Sequence, residues 1–213
     1  AYSNPTRQRV CPPEATCRYT RIMDPRLAFA VSLGKGAGVA TRLLRRGGGT
    51  ALPGLVATRV EPNIVSKLGR QLNGGRVLVS GTNGKTTTSR ILASILDAAG
   101  TPFLHNREGS NLMRGFASTL LEASNATGHL RLPVNVLGLF ETDEATMPAA
   151  ARAFAPSIMA FTNLFRDQLD RYGEVDTVAA MWREALAAAP KDSTLVLNAD
   201  DPSVAELAEG WTG

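Results

Sequence analysis

Val77-Leu78-Val79-Ser80-Gly81-Thr82-Asn83-Gly84-Lys85-Thr86-Thr87-Thr88 is the stretch on which the reading of this chain turns. The apolar run Val77-Leu78-Val79 suits a buried strand, and it leads directly into a loop framed by Gly81 and Gly84. Behind Lys85 and the threonines, Ile91, Leu92, Ile95 and Leu96 recur at helical spacing until Gly100 ends the segment. Strand, glycine loop, Lys-Thr and helix together form a phosphate cradle. Glycines let the backbone approach phosphate oxygens, and the N–H groups of the loop and helix start point at the anion. Lys85 is placed to reach the terminal phosphates, and the Thr86 hydroxyl to ligand Mg²⁺. The stretch therefore predicts a nucleoside triphosphate site built from Gly81, Thr82, Asn83, Gly84, Lys85, Thr86 and Thr87. The commoner loop carries a glycine where Val79 stands, so this is the shorter form. The bland alternative is a tight strand-to-helix turn that happens to carry a lysine.

Outward from the loop, apolar strands alternate with helices. Strand candidates are 77–80, 102–105, 134–140, 157–162 and 194–198; helices fit 85–98, 111–123, 144–154, 175–189 and 202–208. This alternation predicts an α/β fold, a mostly parallel sheet with helices on both faces and ligands at the C-terminal ends of the strands. Upstream, residues 1–22 carry Pro5, Pro12 and Pro13 with little apolar periodicity. They read as a disordered leader, or as sequence before a start at Met23. Residues 23–75 read as a short helical segment and linker. Positions 27–44 admit a helix despite Gly34, Gly36 and Gly38, which suggest a helix–helix contact or a bend rather than a second phosphate loop. Gly47–Pro53 reads as a linker, and a short helix is expected from Pro62, with Ile64, Leu68 and Leu72 on one face. Residues 76–208 form the main domain, and Glu209–Gly213 has the look of a chain cut short.

Composition narrows the partners. The net charge of +4, from 23 basic and 19 acidic residues, is too mild to argue for nucleic acid, and 6% aromatic residues offer no evident base-stacking platform. Cys11 and Cys17 are the only cysteines, too few for a disulfide framework or a four-cysteine zinc site. With no apolar run near the roughly 20 residues that span a bilayer, the expected location is cytoplasmic. Arg42, Arg45 and Arg46 form a basic cluster, read either as a solvated helix end or as a contact with an anionic membrane surface.

The next chemical signal is Phe140-Glu141-Thr142-Asp143-Glu144, at the end of a predicted strand. Glu141 is placed to join Thr86 and phosphate oxygens in the oxygen shell that Mg²⁺ prefers. Asp143 and Glu144 fit either a direct role or a cap on the following helix. A third cluster, from Thr162 and Asn163 to Gly173, packs Arg166, Asp167, Asp170 and Arg171 just past a buried strand. Asp200 and Asp201 end another strand before Pro202, where helix capping explains them better than catalysis. His105 and His129, the only histidines, read as structural or surface residues.

Taken together, the glycine loop, Glu141, the segment Asn163…Asp167-Gln168-Leu169-Asp170 and Asn198-Ala199-Asp200-Asp201 resemble the central domain of the Mur ligase superfamily. The runs His105–Asn111 and Glu141–Pro148, and the stretch from Asn163 to Asp176, resemble its MurT branch, the ligase subunits of lipid II isoglutaminyl synthases. The resemblance implies ATP and Mg²⁺ as cofactors, with Lys85 and Glu141 catalytic and Thr86 and Glu141 on the metal. It places Asn111 and Asn163 beside the nucleotide. It implies activation of the D-glutamate α-carboxyl of a lipid II-type precursor as an acyl phosphate. Ammonia from a GatD-like glutaminase partner would then give D-isoglutamine. Two departures matter: Gln168 stands where many relatives have histidine, and Ala180–Glu184 holds no lysine, which weakens the expectation of a second Mg²⁺. The span Met23–Ser80 is short for a UDP-binding domain, in keeping with a lipid-linked substrate. As a fragment the chain is expected to bind ATP weakly and to lack turnover alone. The competing readings are a folylpolyglutamate synthase-like ligase and a nucleotide-binding module without chemistry.

Overall fold

The computed structural model describes residues 24–43, 51–106, 109–165 and 174–211. Five parallel strands form one sheet in the order β2-β3-β1-β4-β5. The strands are β1 (Arg76–Ser80), β2 (Phe103–His105), β3 (Leu137–Glu141), β4 (Ile158–Phe161) and β5 (Thr194–Leu197). The glycine loop thus leaves the central strand, flanked by β3 and β4. The helices α4 (Lys85–Ala98), α5 (Met113–Ala123), α6 (Met147–Phe154) and α7 (Glu174–Ala188) alternate with the strands, and α8 (Pro202–Ala205) follows β5. Parallel neighbours need such crossovers, since no tight turn can bring the chain back to the same end of the sheet.

Alternation along β1 divides the core between the two faces. Leu78 joins Phe140, Met159 and Phe161 beneath α5, α6 and α7, whereas Val77, Val79 and Leu139 face Leu92, Ala93 and Leu96 of α4. The first face is the larger. Phe116, Phe140 and Phe154 meet there at ring separations of 4.4–5.5 Å, and Trp182 lies 4.8 Å from Phe161. Fully burying each such side chain contributes about 1.5–3 kcal/mol. Helices therefore cover both faces, with α4 alone on the second among the described residues.

Upstream of β1, α1 (Pro25–Leu43), α2 (Leu52–Val60) and α3 (Ile64–Gly69) pack against α5 and α6. The glycine-interrupted stretch is indeed helical. A Cβ on Gly34 would lie 2.9 Å from the Pro53 carbonyl and 3.0 Å from Ala57 Cβ, so this glycine serves a helix–helix contact.

Several boundaries differ from expectation, three of them for a clear reason. The linker read as Gly47–Pro53 gives way to α2 at Leu52, with Pro53 in its first turn, where a missing N–H costs nothing. The helix expected from Pro62 begins at Ile64. The strand expected over 134–140 begins at Leu137, because Asn135 is left-handed at φ 66° and Val134 is 80% exposed, so the chain is still turning there. The leader 1–22 and the arginines Arg45 and Arg46 lie outside the described residues, as does the side chain of Arg42.

Candidate functional site

The glycine loop lies at the C-terminal edge of the sheet, between the exits of β3 and β4. Gly81 has φ 149°, and a Cβ there would fall 1.9 Å from Thr162 Oγ1, so a side chain would push the loop off β4. Gly84 caps α4 in the left-handed region at φ 80°, with open space where its Cβ would stand. An approaching anion therefore meets backbone rather than side chain.

Asn163 ties this loop down. The Thr82 N–H donates to the Asn163 carbonyl at 2.9 Å and the Asn83 N–H to Asn163 Oδ1 at 2.9 Å. In return Asn163 Nδ2 donates to the Asn83 carbonyl at 3.0 Å, as does the Thr162 hydroxyl at 2.9 Å. Two of the loop's amides are thus already engaged. The phosphate donors left to the cradle are the N–H groups at the start of α4, at Lys85, Thr86 and Thr87, which the helix itself cannot satisfy.

Lys85 and Thr86 each face a carboxylate at the end of β3 or just past it. Thr86 Oγ1 donates to Glu141 Oε1 at 3.0 Å, and Glu141 is 7% exposed. Lys85 Nζ donates to Glu144 Oε1 at 2.8 Å and to the carbonyls of Gly81 and Thr82. Asp143 caps the short 3-10 turn Glu144–Thr146 by accepting from the Ala145 N–H at 3.1 Å. The two adjacent acids have therefore taken different tasks. Asp201 behaves as a cap, accepting from the Ser203 and Val204 N–H groups, and its second oxygen accepts from the Leu164 N–H at 2.6 Å.

The carboxylate Glu141 is itself held by Asn106. Asn106 Oδ1 accepts from the Glu141 N–H at 2.8 Å, and Nδ2 donates to the Glu141 carbonyl at 2.9 Å and the Ser110 carbonyl at 3.0 Å. Asn111 follows at once, and its carbonyl accepts from the Asp143 N–H at 3.1 Å. His105, the last residue of β2, keeps Nε2 buried with no partner. Burial pushes its pKa below the usual histidine value; Glu141 pulls it up, Arg90 pushes it further down, and the net shift is downward. His129 instead lies beside the Thr127 hydroxyl in a surface turn, at 3.0 Å.

The structure thus brings together Gly81, Thr82, Asn83, Gly84, Lys85, Thr86, Glu141 and Asn163, with Asn111 one residue beyond the Asn106–Ser110 bond. Thr87 sits on the exposed side of the same helix start. The charged cluster 166–173, including Gln168, lies outside the described residues. Reading the sequence for motifs quoted the runs that hold Asn106 and Thr162 but gave neither residue a role, and it missed the specific pairing of Glu144. For Glu144 the local signal was an acid shortly after a strand. The donor set suits a magnesium nucleotide: an all-oxygen pair, Thr86 and Glu141, beside free helix-start amides and a lysine. Among the described residues no three His, Cys, Asp or Glu side chains converge, so a cation here would draw its remaining ligands from phosphate and water. Among them too, no helix is long and apolar enough to cross a membrane.

Comparison with known proteins agrees with this geometry. Residues 79–212 match the Mur ligase middle domain. The chain is 39% identical over 178 residues to the MurT subunit of the glutamine-hydrolyzing lipid II isoglutaminyl synthase of Staphylococcus aureus strain COL, covering 84% of this chain and 38% of that protein. It is 37% identical over 161 residues to the corresponding subunit of Streptococcus pneumoniae, covering 75% and 34%. Among solved structures, a UDP-N-acetylmuramoylalanyl-D-glutamyl-2,6-diaminopimelate–D-alanyl-D-alanyl ligase from Acinetobacter baumannii superposes with a TM-score of 0.55 at 21% identity. That superposition covers 74% of this chain and 32% of that one and speaks to the fold alone. The chain thus spans about a third of the length of these relatives.

Proposed function

This chain belongs to the Mur ligase family, and from that premise we propose that it is the nucleotide-binding part of an ATP-dependent carbon–nitrogen ligase of peptidoglycan synthesis. One observation carries the reading: Thr86 and Glu141 meet at 3.0 Å beside Lys85 and the open start of α4. The helix-start amides bind the phosphates, and Lys85 leaves Glu144 to neutralise the transferring phosphoryl group. Mg²⁺, which Thr86 and Glu141 would hold, would supply further charge neutralisation for the phosphates. Gly81, Thr82, Asn83, Gly84 and Thr87 shape the cradle, Asn163 holds it closed, and Asn111 would lie near substrate and phosphates, as the likeness to Mur ligases suggests.

The reaction is written as two displacements. A substrate carboxylate oxygen attacks the γ-phosphorus, the bond to the β-phosphate oxygen breaks, and ADP leaves an acyl phosphate. The nitrogen lone pair of ammonia then attacks the acyl carbon, inorganic phosphate departs with the C–O electrons, and a proton passes to solvent. Both reactants of the first step are anions, so positioning and charge neutralisation are the main demands on the protein.

The likeness to MurT subunits supports a specific substrate, the D-glutamate α-carboxyl of a lipid II stem peptide, amidated to D-isoglutamine. Ammonia would come from a GatD-like glutaminase, and the lipid-linked substrate would bring the site close to a membrane surface. Alone, the 213-residue chain is expected to bind nucleotide without ligase turnover. The test is the full-length protein with the glutaminase, glutamine, ATP and lipid II. Amidated stem peptide and ADP should form together, and Lys85→Ala should reduce both by at least about 100-fold, from the loss of one transition-state cation. ADP release without amidation would overturn the substrate assignment, and unaltered turnover by Lys85→Ala would overturn the site.

A further inference from the structure

The side chain of Asn106 does work that a strand would ordinarily do. β2 runs beside β3 with Phe103 against Leu137, Leu104 against Gly138 and His105 against Leu139, and there the ladder stops. Glu141, the last residue of β3, lies beyond that register. On its other side β3 continues against β1, where Val79 is the partner of Glu141 and the Thr142 N–H donates to the Val79 carbonyl at 2.8 Å. The N–H and carbonyl of Glu141 are left for the β2 side, and the Asn106 amide takes both, at 2.8 and 2.9 Å. One planar amide thus replaces the missing strand partner of the residue whose carboxylate meets Thr86.

Asn106 is 3% exposed, and each of its polar atoms is used. Its remaining N–H goes to the Ser110 carbonyl at 3.0 Å, and the next residue, Asn111, receives the Asp143 N–H at 3.1 Å. The loop after β2 and the exit of β3 are therefore fastened to one buried side chain. A buried amide paired on every edge has one orientation, because any rotation leaves a backbone group without a partner. Its placement next to Glu141 has the character of the outer groups that orient a metal's ligands.

Building on the magnesium-nucleotide reading of the cradle, we infer that Asn106 is a positioning residue for the cation. It fixes the backbone of Glu141, and so the point at which its carboxylate meets Thr86, without touching cation or nucleotide itself. The phosphate donors at the start of α4 stand on a different element and do not depend on it. The two halves of the site are thereby separable. Asn106 governs how tightly Mg²⁺ is held, and the loop governs how tightly phosphate is held without it.

The experiment is equilibrium binding of a fluorescent ATP analogue to the full-length protein, titrated with Mg²⁺ and repeated in EDTA. Asn106→Asp keeps the size and the acceptor for the Glu141 N–H but loses both donated bonds. It should raise the Mg²⁺ concentration for half-maximal effect about tenfold, the lower end of what outer-shell changes cost a metal site, with affinity in EDTA unchanged. A variant whose Mg²⁺ dependence matches the parent overturns the inference. So does one that loses affinity equally with and without Mg²⁺, since that is the mark of a purely structural role. A parent protein with no Mg²⁺-dependent binding overturns the reading of the cradle and this inference with it. Should Asn106→Asp fail to fold, the side-chain amide resonance of Asn106 in the parent answers the same question. It should shift on Mg²⁺ titration of the nucleotide complex, with the same midpoint as binding; a resonance that stays still overturns the inference.

Discussion

At Lys85 an ammonium group that a triphosphate needs is already engaged by a carboxylate of its own chain. Glu144 lies 2.8 Å from Nζ, with the two side chains 14% and 19% exposed, so screening by solvent is limited. On the proposed reading nucleotide takes the ammonium from Glu144, and the pair then lowers affinity while tying Lys85 to its own chain. Glu144→Gln removes the competitor. Binding of ATP in EDTA, followed by displacement of a fluorescent analogue, should tighten about fivefold, equivalent to about 1 kcal/mol; unchanged or weaker binding would show that the two do not compete. Sequence alone left Asp143 and Glu144 equivalent, as caps or as site residues. Their separation arises from a local fact and a distant one. Asp143 reaches the Ala145 N–H, which any acid before a helical turn can do, whereas the partner of Glu144 stands 59 residues away. The role of Asn106 went unread for the same reason, since its contacts to Glu141 span 35 residues.

Among the elements, the three helices before β1 are held by a charge cluster at one end. Asp24 caps α1 by accepting from the Arg26 and Leu27 N–H groups, and Lys67 of α3 bridges Asp24 at 2.6 Å and Glu61 at 2.8 Å. The hydrogen bond from Lys67, with the Leu27 N–H, holds the Asp24 pKa below its ordinary value. For Glu61, burial pulls upward, but the Lys67 and Asn63 hydrogen bonds and the charges of Lys67 and Arg26 outweigh it, and the net shift is down. Both carboxylates therefore stabilise the fold above their unfolded pKa values, and that stabilisation fades as pH falls through the lowered folded ones. Urea midpoints should drop below about pH 4.3. In Lys67→Met the drop should be shallower from a lower starting point; parallel curves would place the acid sensitivity elsewhere. The neighbouring helix α2 shows what local pattern misses. Gly47–Pro53 reads as a linker, yet α2 already begins at Leu52, and Gly54 in its first turn is what lets it lie on α5, since a Cβ there would fall 1.9 Å from the Arg114 carbonyl. By contrast α4 was legible to the residue, 85–98, because a loop glycine starts it and an uninterrupted apolar period carries it.

Across the whole molecule, the alternation of strand and helix was readable because each element announces itself within a few residues. The order of the strands was not, for it depends on which crossover passes over which face. That order has a consequence for the ribosome. β1 sits at the centre, and its two partners come late: Arg76 aligns with Gly138, and Val77 with Ile158. The contact between Arg76 and Ser157 spans 81 residues, so at about 5–20 residues per second the growing chain carries an incompletely paired central strand for on the order of 4–16 s. Nascent chains halted before Ser157 should be cut readily by protease near residues 77–80, and chains extended past Leu197 should resist. Equal resistance at both lengths would mean that β1 and β3 suffice as a pair. The strand that bears the glycine loop is thus the first of the five to be made, yet it waits for the fourth before both of its edges are covered.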